Sequence, residues 1–203
     1  MLTASKILKE IKAGNIGIDP FNIDQLNPNS YNVRLNNKLL IYSHSNQTYK
    51  TSTNDIKWIT KQCPLDPKNS KTLETESLII NEDGYILEPG ILYLGSTKET
   101  ISSDKYISAI DGRSSIGRLG ISIHSTAGFG DIGFSGTYTL EISVMQPVII
   151  YPDMLIGQVY FTEPNGDIDF LYNGRYQNQS GAVESRINID SKDISNYHYN
   201  KNI

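Results

Sequence analysis

From Ser77 to Phe161 the chain is cut into short segments that alternate apolar and β-favouring polar residues, with Pro-Gly and Asp-Gly pairs between several of them. A period of two places alternate side chains on opposite faces of a strand, and no helix of ordinary length fits between the breaks. The segments Ser77–Ile80, Tyr85–Leu87, Ile91–Ser96, Tyr106–Ile110, Gly120–His124, Thr137–Val144, Val148–Tyr151 and Leu155–Phe161 are read as strands. Asp83-Gly84 and Pro89-Gly90 supply turns between them. Upstream, Tyr31–Leu35 and Lys38–Tyr42 read as two more strands. Many short strands at this spacing predict a mainly β fold, a distorted barrel or jelly roll. Leu87–Gly95 and Ile150–Gly157 both read as strand, Pro-initiated turn, strand, which suits two layers of one double-sheet fold.

The exception lies at the start. Ile7, Leu8 and Ile11 share one helical face, Thr3 or Ser5 can cap a short N-terminal helix through Lys12, and Gly14 stops it. Residues 43–75 are polar and read as a long excursion with short strands around Trp58. From about 166 the chain turns polar again and reads as an extended arm. With 203 residues, one domain over 1–203 is expected.

A net charge of −4 argues against a bulk polyanion binder, although a few arginines can still build a local anion pocket. Cys63 is the only cysteine, so neither an internal disulfide nor a zinc knuckle is expected. His44, His124 and His198 lie far apart, with no H-E-x-x-H between them. The N-terminus lacks an apolar signal core and no apolar run reaches membrane-spanning length, so a cytoplasmic protein is expected.

Gly128-Phe129-Gly130-Asp131-Ile132-Gly133 spells G-x-G-x-x-G. A dinucleotide fingerprint needs a helix after it, to hold the pyrophosphate at its N-terminus. Here Thr137–Val144 alternates as a strand, and the context fails. The glycines instead permit tight turns and close backbone approach to a ligand. Within that strand Tyr138, Leu140 and Ile142 share one face, while Thr139, Glu141 and Ser143 share the other. Glu141 is thus an ordinary exposed strand glutamate or a site residue. Upstream, Arg113, Ser114, Ser115 and Arg118 bring guanidinium and hydroxyl donors together, as a phosphate site or a capped turn would.

The ordered motifs DGRSSIGRLG (111–120), HSTA (124–127), Asp131, GFSG (133–136), TLE (139–141), MLIG (154–157) and RYQNQSGAVESR (175–186) resemble the dCTP deaminase family. That family belongs to the dUTPase-like superfamily. NSYNVRL (29–35) and LEPG (87–90) extend the likeness over most of the chain, while residues 43–75 carry little of it. The resemblance implies a dUTPase-like barrel or jelly roll, a homotrimer with sites between subunits, and an arm that closes over the site. It implies dCTP and dUTP as ligands, dTTP as an inhibitor, no nucleic-acid or membrane partner, and Mg2+ bound through the triphosphate without zinc. The zinc-deaminase H-x-E…P-C-x-x-C pattern is indeed missing from the sequence.

Carried over by position, the resemblance makes Glu141 the general base that activates water at C4 of cytosine. Arg118 then positions that water, and the backbone at Ala127 helps to hold it. Arg113, Ser114, Ser115, Ile116 and Gly117 form the phosphate loop with Arg118. Asp131 takes the deoxyribose 3′-hydroxyl, and the backbone of Thr139 and Leu140 reads the pyrimidine edge. Gln158 lies near the nucleotide, and Tyr172, Arg175 and Gln179 reach the triphosphate from the arm. The family often has Asp at the position of Asn32 and Lys at that of Arg175; Arg keeps the charge. Deaminase-only members carry a bulky His-Arg pair where this chain has Gly128-Phe129. That change marks the branch that also cleaves the triphosphate to dUMP and diphosphate, although Gly130 and Ile132 depart from its usual pattern. Either product remains open, as do a dUTP diphosphatase, an inactive nucleotide-binding regulatory trimer and a structural jelly roll. His124, Tyr160, Phe161 and Phe170 are read as packing residues.

Overall fold

The computed structural model describes residues 1–43, 47–50, 58–61 and 64–187, with 47–50 and 58–61 described by their backbone alone. Cys63, His44 and His198 lie outside the described residues. One helix, α1 (Ala4–Lys12), opens the chain. The strands follow as β1 (Gly17–Asp19), β2 (Tyr31–Arg34), β3 (Lys38–Tyr42), β4 (Gln47–Lys50), β5 (Trp58–Lys61), β6 (Thr75–Ile79) and β7 (Tyr85–Leu87). Then come β8 (Tyr93–Ser102), β9 (Ile107–Gly112), the single-turn α2 (Ser114–Gly117), β10 (Ile121–Ser122) and β11 (Phe129–Gly130). The last three are β12 (Ser135–Val144), β13 (Val148–Ile150) and β14 (Leu155–Thr162).

The chain divides into two compact units, one of residues 1–41 and 77–183, the other of residues 42–76 and 184–203. The division falls inside β3 and β6. The smaller unit holds the antiparallel pair β4–β5, with Gln47 opposite Lys61 and Lys50 opposite Trp58, so strands do form around Trp58. Within it the Tyr42 hydroxyl also accepts the Ser185 N–H at 3.3 Å.

The larger unit is built on two antiparallel sheets. One runs β10-β12-β8-β3-β6, with β1 also on β8; the other runs β11-β9-β14-β2. Among the described residues they remain two separate ladders, so the expected barrel is not closed. Their facing sides make the core. Tyr31, Val33, Leu35, Leu140, Ile142, Ile156, Val159 and Phe161 are each fully buried. Each such side chain contributes about 1.5–3 kcal/mol relative to an exposed one. Gly95 lies beneath three core side chains, where a Cβ would come within 2.9 Å of Ile142 and 3.2 Å of Leu35 and Leu39.

The two Pro-initiated corners are built alike. They follow β7 and β13, which pair with each other. Gly90 after Pro89 has φ +82° and Asp153 after Pro152 has φ +60°, the positive φ that type II turns require at that place. Asp153 also meets Lys98 in an exposed ion pair.

In α1, Thr3 is the N-cap residue but its side chain makes no capping bond; its hydroxyl lies 3.3 Å from that of Ser5. Glu10 instead fastens the helix, accepting from Lys6 at 2.8 Å and Asn15 at 2.6 Å, with Lys105 3.6 Å away. These partners hold its carboxyl at about 2, the Lys6 bond first among them. Among the described residues no helix is long and apolar enough to cross a membrane.

Candidate active site

β12 carries the centre of the site. Its burial alternates as expected, with Tyr138, Leu140 and Ile142 inside and Thr139 and Glu141 half-exposed on the other face. Glu141 Oε2 accepts the backbone N–H of Ser125 at 2.7 Å. Ser125 is its one hydrogen-bond partner among the described residues, so the second carboxylate oxygen stays available to water. The preceding residue, His124, is half-buried and lies 3.5 Å from Asp111, while its Nδ1 is buried without a hydrogen-bond partner. The 124–128 loop therefore ties Glu141 to the end of β9.

The phosphate-type residues stand at that end of β9. Arg113 is the N-cap residue of α2 and donates to the Leu155 carbonyl at 3.1 Å. Ser114, Ser115, Gly117 and Arg118 are exposed, while Ile116 is buried and roots the turn. The first amides of a helix have no partner within it, so this turn presents N–H groups beside two hydroxyls and a guanidinium. Gln158 donates to the Gly112 carbonyl at 3.3 Å and accepts from Ser30 at 2.9 Å, which holds it against the loop.

The glycines between 128 and 136 separate into distinct uses. The Gly128 carbonyl accepts Ile110 N–H at 2.6 Å. A Cβ on Gly128 would sit 3.1 Å from the Ile110 carbonyl and 3.4 Å from the His124 ring, so the imidazole borders the space that a larger residue would fill. Phe129 and Asp131 are exposed and Ala127 is exposed beside them. A Cβ on Gly133 would come within 2.6 Å of Leu171 and 2.8 Å of the Tyr172 nitrogen, and one on Gly136 within 2.9 Å of the Gln179 carbonyl.

Those last two glycines are where the arm lands. Tyr172 N–H donates to Ile132 O and Asn178 N–H to Ser135 O, both at 2.7 Å, and Thr137 N–H donates to Gln179 O at 3.1 Å. Gln179 also donates through Nε2 to the Thr137 carbonyl at 2.5 Å and to Thr139 Oγ1 at 3.4 Å, leaving its Oε1 buried and unpartnered. Tyr172 meets Phe134 edge-on at 6.0 Å. Arg175, half-buried, lies between these anchors.

The chain therefore brings together Glu141, Thr139, Gln179 and Tyr172 around β12, and Arg113 to Arg118 with Gln158 around the end of β9. It does not join the two sets directly. Ile121 pairs Val144 and Ser122 pairs Ser143, so Arg118 precedes one end of the β10–β12 ladder and Glu141 lies past the other. Glu141 to Val144 alone spans about 10 Å of strand. Among the described residues no hydrogen bond or ion pair links Arg118 to Glu141. Sequence reasoning missed Ser125, whose contribution is a backbone N–H, and Glu99, discussed below. His124, read as a packed or hydrogen-bonded structural residue, is half-buried with its Nε2 3.5 Å from Asp111. Phe161 is fully buried as expected, whereas Phe170 is largely exposed.

Residues 1–163 match the family described as dCTP deaminase-like. The chain belongs to that family. A relative from Clostridium beijerinckii named "dCTP deaminase, dUMP-forming" is 46% identical over 185 residues, 91% of this chain and 95% of its own. One of the same name from Clostridium acetobutylicum is 43% identical over 190 residues, 94% of this chain and 98% of its own. The crystal structure of 2′-deoxycytidine 5′-triphosphate deaminase from Agrobacterium tumefaciens superposes with TM-score 0.55 at 19% identity, over 80% of this chain. This chain spans about half of that protein's length, 47%, and the likeness is one of fold.

Proposed function

We propose that this protein deaminates dCTP and hydrolyses the triphosphate in the same site, giving ammonia, dUMP and diphosphate. The observation that carries the reading is the Glu141–Ser125 bond at 2.7 Å, which fixes one carboxylate oxygen and leaves the other for a water. It stands beside relatives of 43–46% identity that bear the dUMP-forming name.

Glu141 takes a proton from the water as its oxygen bonds to C4 of cytosine. The proton then passes to the amino group, the C4–N bond breaks, and ammonia leaves as the C4 carbonyl forms and the remaining hydroxyl proton ends on N3. Arg118 stabilises charge at that centre, and the backbone at Ala127 helps to hold the water. Main-chain groups of Thr139 and Leu140 read the base edge, a role that suits Leu140 because its side chain is in the core. Asp131 accepts from the 3′-hydroxyl. Arg113, Ser114 and Ser115 hold the triphosphate with Tyr172, Arg175 and Gln179. Magnesium arrives with the triphosphate as part of the substrate; among the described residues no group of three His, Cys, Asp or Glu side chains could hold a metal ion. In the second step water adds to the α-phosphorus and the bond to the bridging α–β oxygen breaks. Gly128 leaves room for that water.

The separation of Arg118 from Glu141 along the β10–β12 ladder supports a homotrimer in which one subunit's phosphate loop faces another's Glu141. The deciding assay incubates the protein with dCTP and magnesium and separates nucleotides by anion exchange. Appearance of dUMP and diphosphate without accumulating dUTP is the expected result. Accumulating dUTP would confine the activity to deamination, and unconverted dCTP would remove the enzyme reading.

A further inference from the structure

Tyr138 lies on the core face of β12, yet its hydroxyl reaches into the other sheet. It stands 2.7 Å from Ser108 Oγ on β9, with either hydroxyl able to donate, and 3.5 Å from the Ser108 carbonyl. Ser108 is the register partner of Gly130 on β11. A Cβ on Gly130 would fall 2.3 Å from the Tyr138 oxygen and 3.0 Å from Ser108 Oγ. The phenol therefore occupies the volume that any side chain at 130 would need, and Gly130 directly precedes Asp131.

The tyrosine itself is held on three sides. It sits at a break in the β12–β8 ladder, where the register shifts between Thr137 and Thr139, and its N–H donates to Thr97 Oγ1 at 2.9 Å. Its ring meets Phe134 edge-on at 5.4 Å, and Phe134 meets Tyr172 of the arm. Burial pushes the phenol up to about 12, the Ser108 bond opposes the rise, and the Asp131 carboxylate adds to it. The hydroxyl thus stays protonated and available to hydrogen-bond Ser108.

We infer that Tyr138, locked to Ser108 and seated on Gly130, is a positioning residue for Asp131 and thereby sets how strictly the enzyme requires a 3′-hydroxyl on its substrate. The inference rests on the assignment of Asp131 to that hydroxyl. A site built to hydrogen-bond a substrate hydroxyl rejects the analogue that lacks it, but only while its acceptor is held in place. Without the phenolic oxygen residues 129–131 keep their backbone pairing to β9 and the Phe134 N–H bond to the Asp131 carbonyl, but Gly130 loses the atom packed against it and has no side chain to replace that contact.

The test compares ammonia release from dCTP and from 2′,3′-dideoxycytidine triphosphate by Tyr138→Phe, Ser108→Ala and Asp131→Asn. Tyr138→Phe and Ser108→Ala are expected to raise KM for dCTP about fivefold, as for loss of one hydrogen bond, with kcat within about twofold. Both are also expected to lower the preference for dCTP over the dideoxy analogue toward that of Asp131→Asn. A merely structural role would lower Tm and leave that preference intact. If the preference is unchanged in both hydroxyl variants while Asp131→Asn lowers it, Tyr138 does not position Asp131. If Asp131→Asn leaves the preference unchanged, the assignment of Asp131 to the sugar fails and the inference falls with it. Should Tyr138→Phe not fold, Ser108→Ala decides alone, since it removes the phenol's partner without touching β12.

Discussion

Glu141 and Ser125 meet through a carboxylate oxygen and a backbone N–H, 2.7 Å apart, where the HSTA loop (124–127) faces β12. In the proposed reaction the bond orients the general base with a backbone donor that no side-chain change short of proline at 125 removes. Replacing the carboxylate preserves this contact but removes the proton acceptor. Glu141→Gln is expected to lower deamination by about a thousandfold, the usual worth of a positioned base, while dCTP still binds. Steady-state ammonia release beside calorimetric titration with dCTP checks both halves.

Gly128 is the position that tests the proposed second step. The His124 ring borders the place of its missing Cβ at 3.4 Å, and a branched side chain there has to displace the ring or fill the space left for water. Gly128→Val is expected to shift the product from dUMP to dUTP by about tenfold or more, an effect of about 1.4 kcal/mol on the second barrier alone. Anion-exchange separation of a single-turnover reaction reads it.

Glu99 is fully buried and accepts Arg34 Nε at 2.7 Å, the Arg34 N–H at 2.8 Å and Gln25 Nε2 at 3.0 Å. Removing one member of such a pair strands the other. Glu99→Ala is expected to destabilise the fold by about 3 kcal/mol, read as a fall in the urea midpoint.

Glu10 supplies a pH signature. Its carboxyl is lowered from the ordinary 4.5 to about 2 by Lys6, Asn15 and Lys105. A depressed carboxylate contributes stability that is present above the unfolded value and lost as pH falls through the folded one. Stability should therefore decline between about pH 4.5 and 2, and Glu10→Gln should flatten that part of the profile, as followed by thermal melts across this range.

Gly136 tests the arm. A methyl there would sit 2.9 Å from the Gln179 carbonyl. Gly136→Ala is expected to loosen the arm by about 1 kcal/mol, hence about fivefold faster tryptic cleavage at Arg175. A higher KM for dCTP should accompany it.

The strands of the larger unit were legible because their alternation is carried by residues that stay in register. Tyr85–Leu87 is read to the residue, and Thr137–Val144 only lacks Ser135 and Gly136 at its start. β8 was read as ending at Ser96, whereas it runs to Ser102. The cause is the break opposite Tyr138, where Thr97, Lys98 and Glu99 face one residue of β12. Such a bulge resets the alternation, turning Lys98 out and Glu99 in. A local pattern cannot show this, and so the buried Arg34–Glu99 pair was missed. Polar site residues were named through ordered motifs, whereas Ser125 contributes a main-chain group and leaves no trace in residue type. Of the two cap candidates, Thr3 and Ser5, Thr3 takes the N-cap place, but its hydroxyl lies against that of Ser5 and makes no capping bond.

Apart from the Gln177 and Gln179 side chains, the arm is fastened to residues 132–139 through main-chain groups, with Tyr172, Asn178 and Gln179 using their peptide N–H or carbonyl. Side chains at most arm positions can therefore drift over evolutionary time without undocking it. The strand beneath has no such latitude, because Gly133 and Gly136 admit the arm only by lacking a Cβ. Substitutions should accumulate unevenly across this contact, freely on the segment that lands and hardly at all on the surface that receives it.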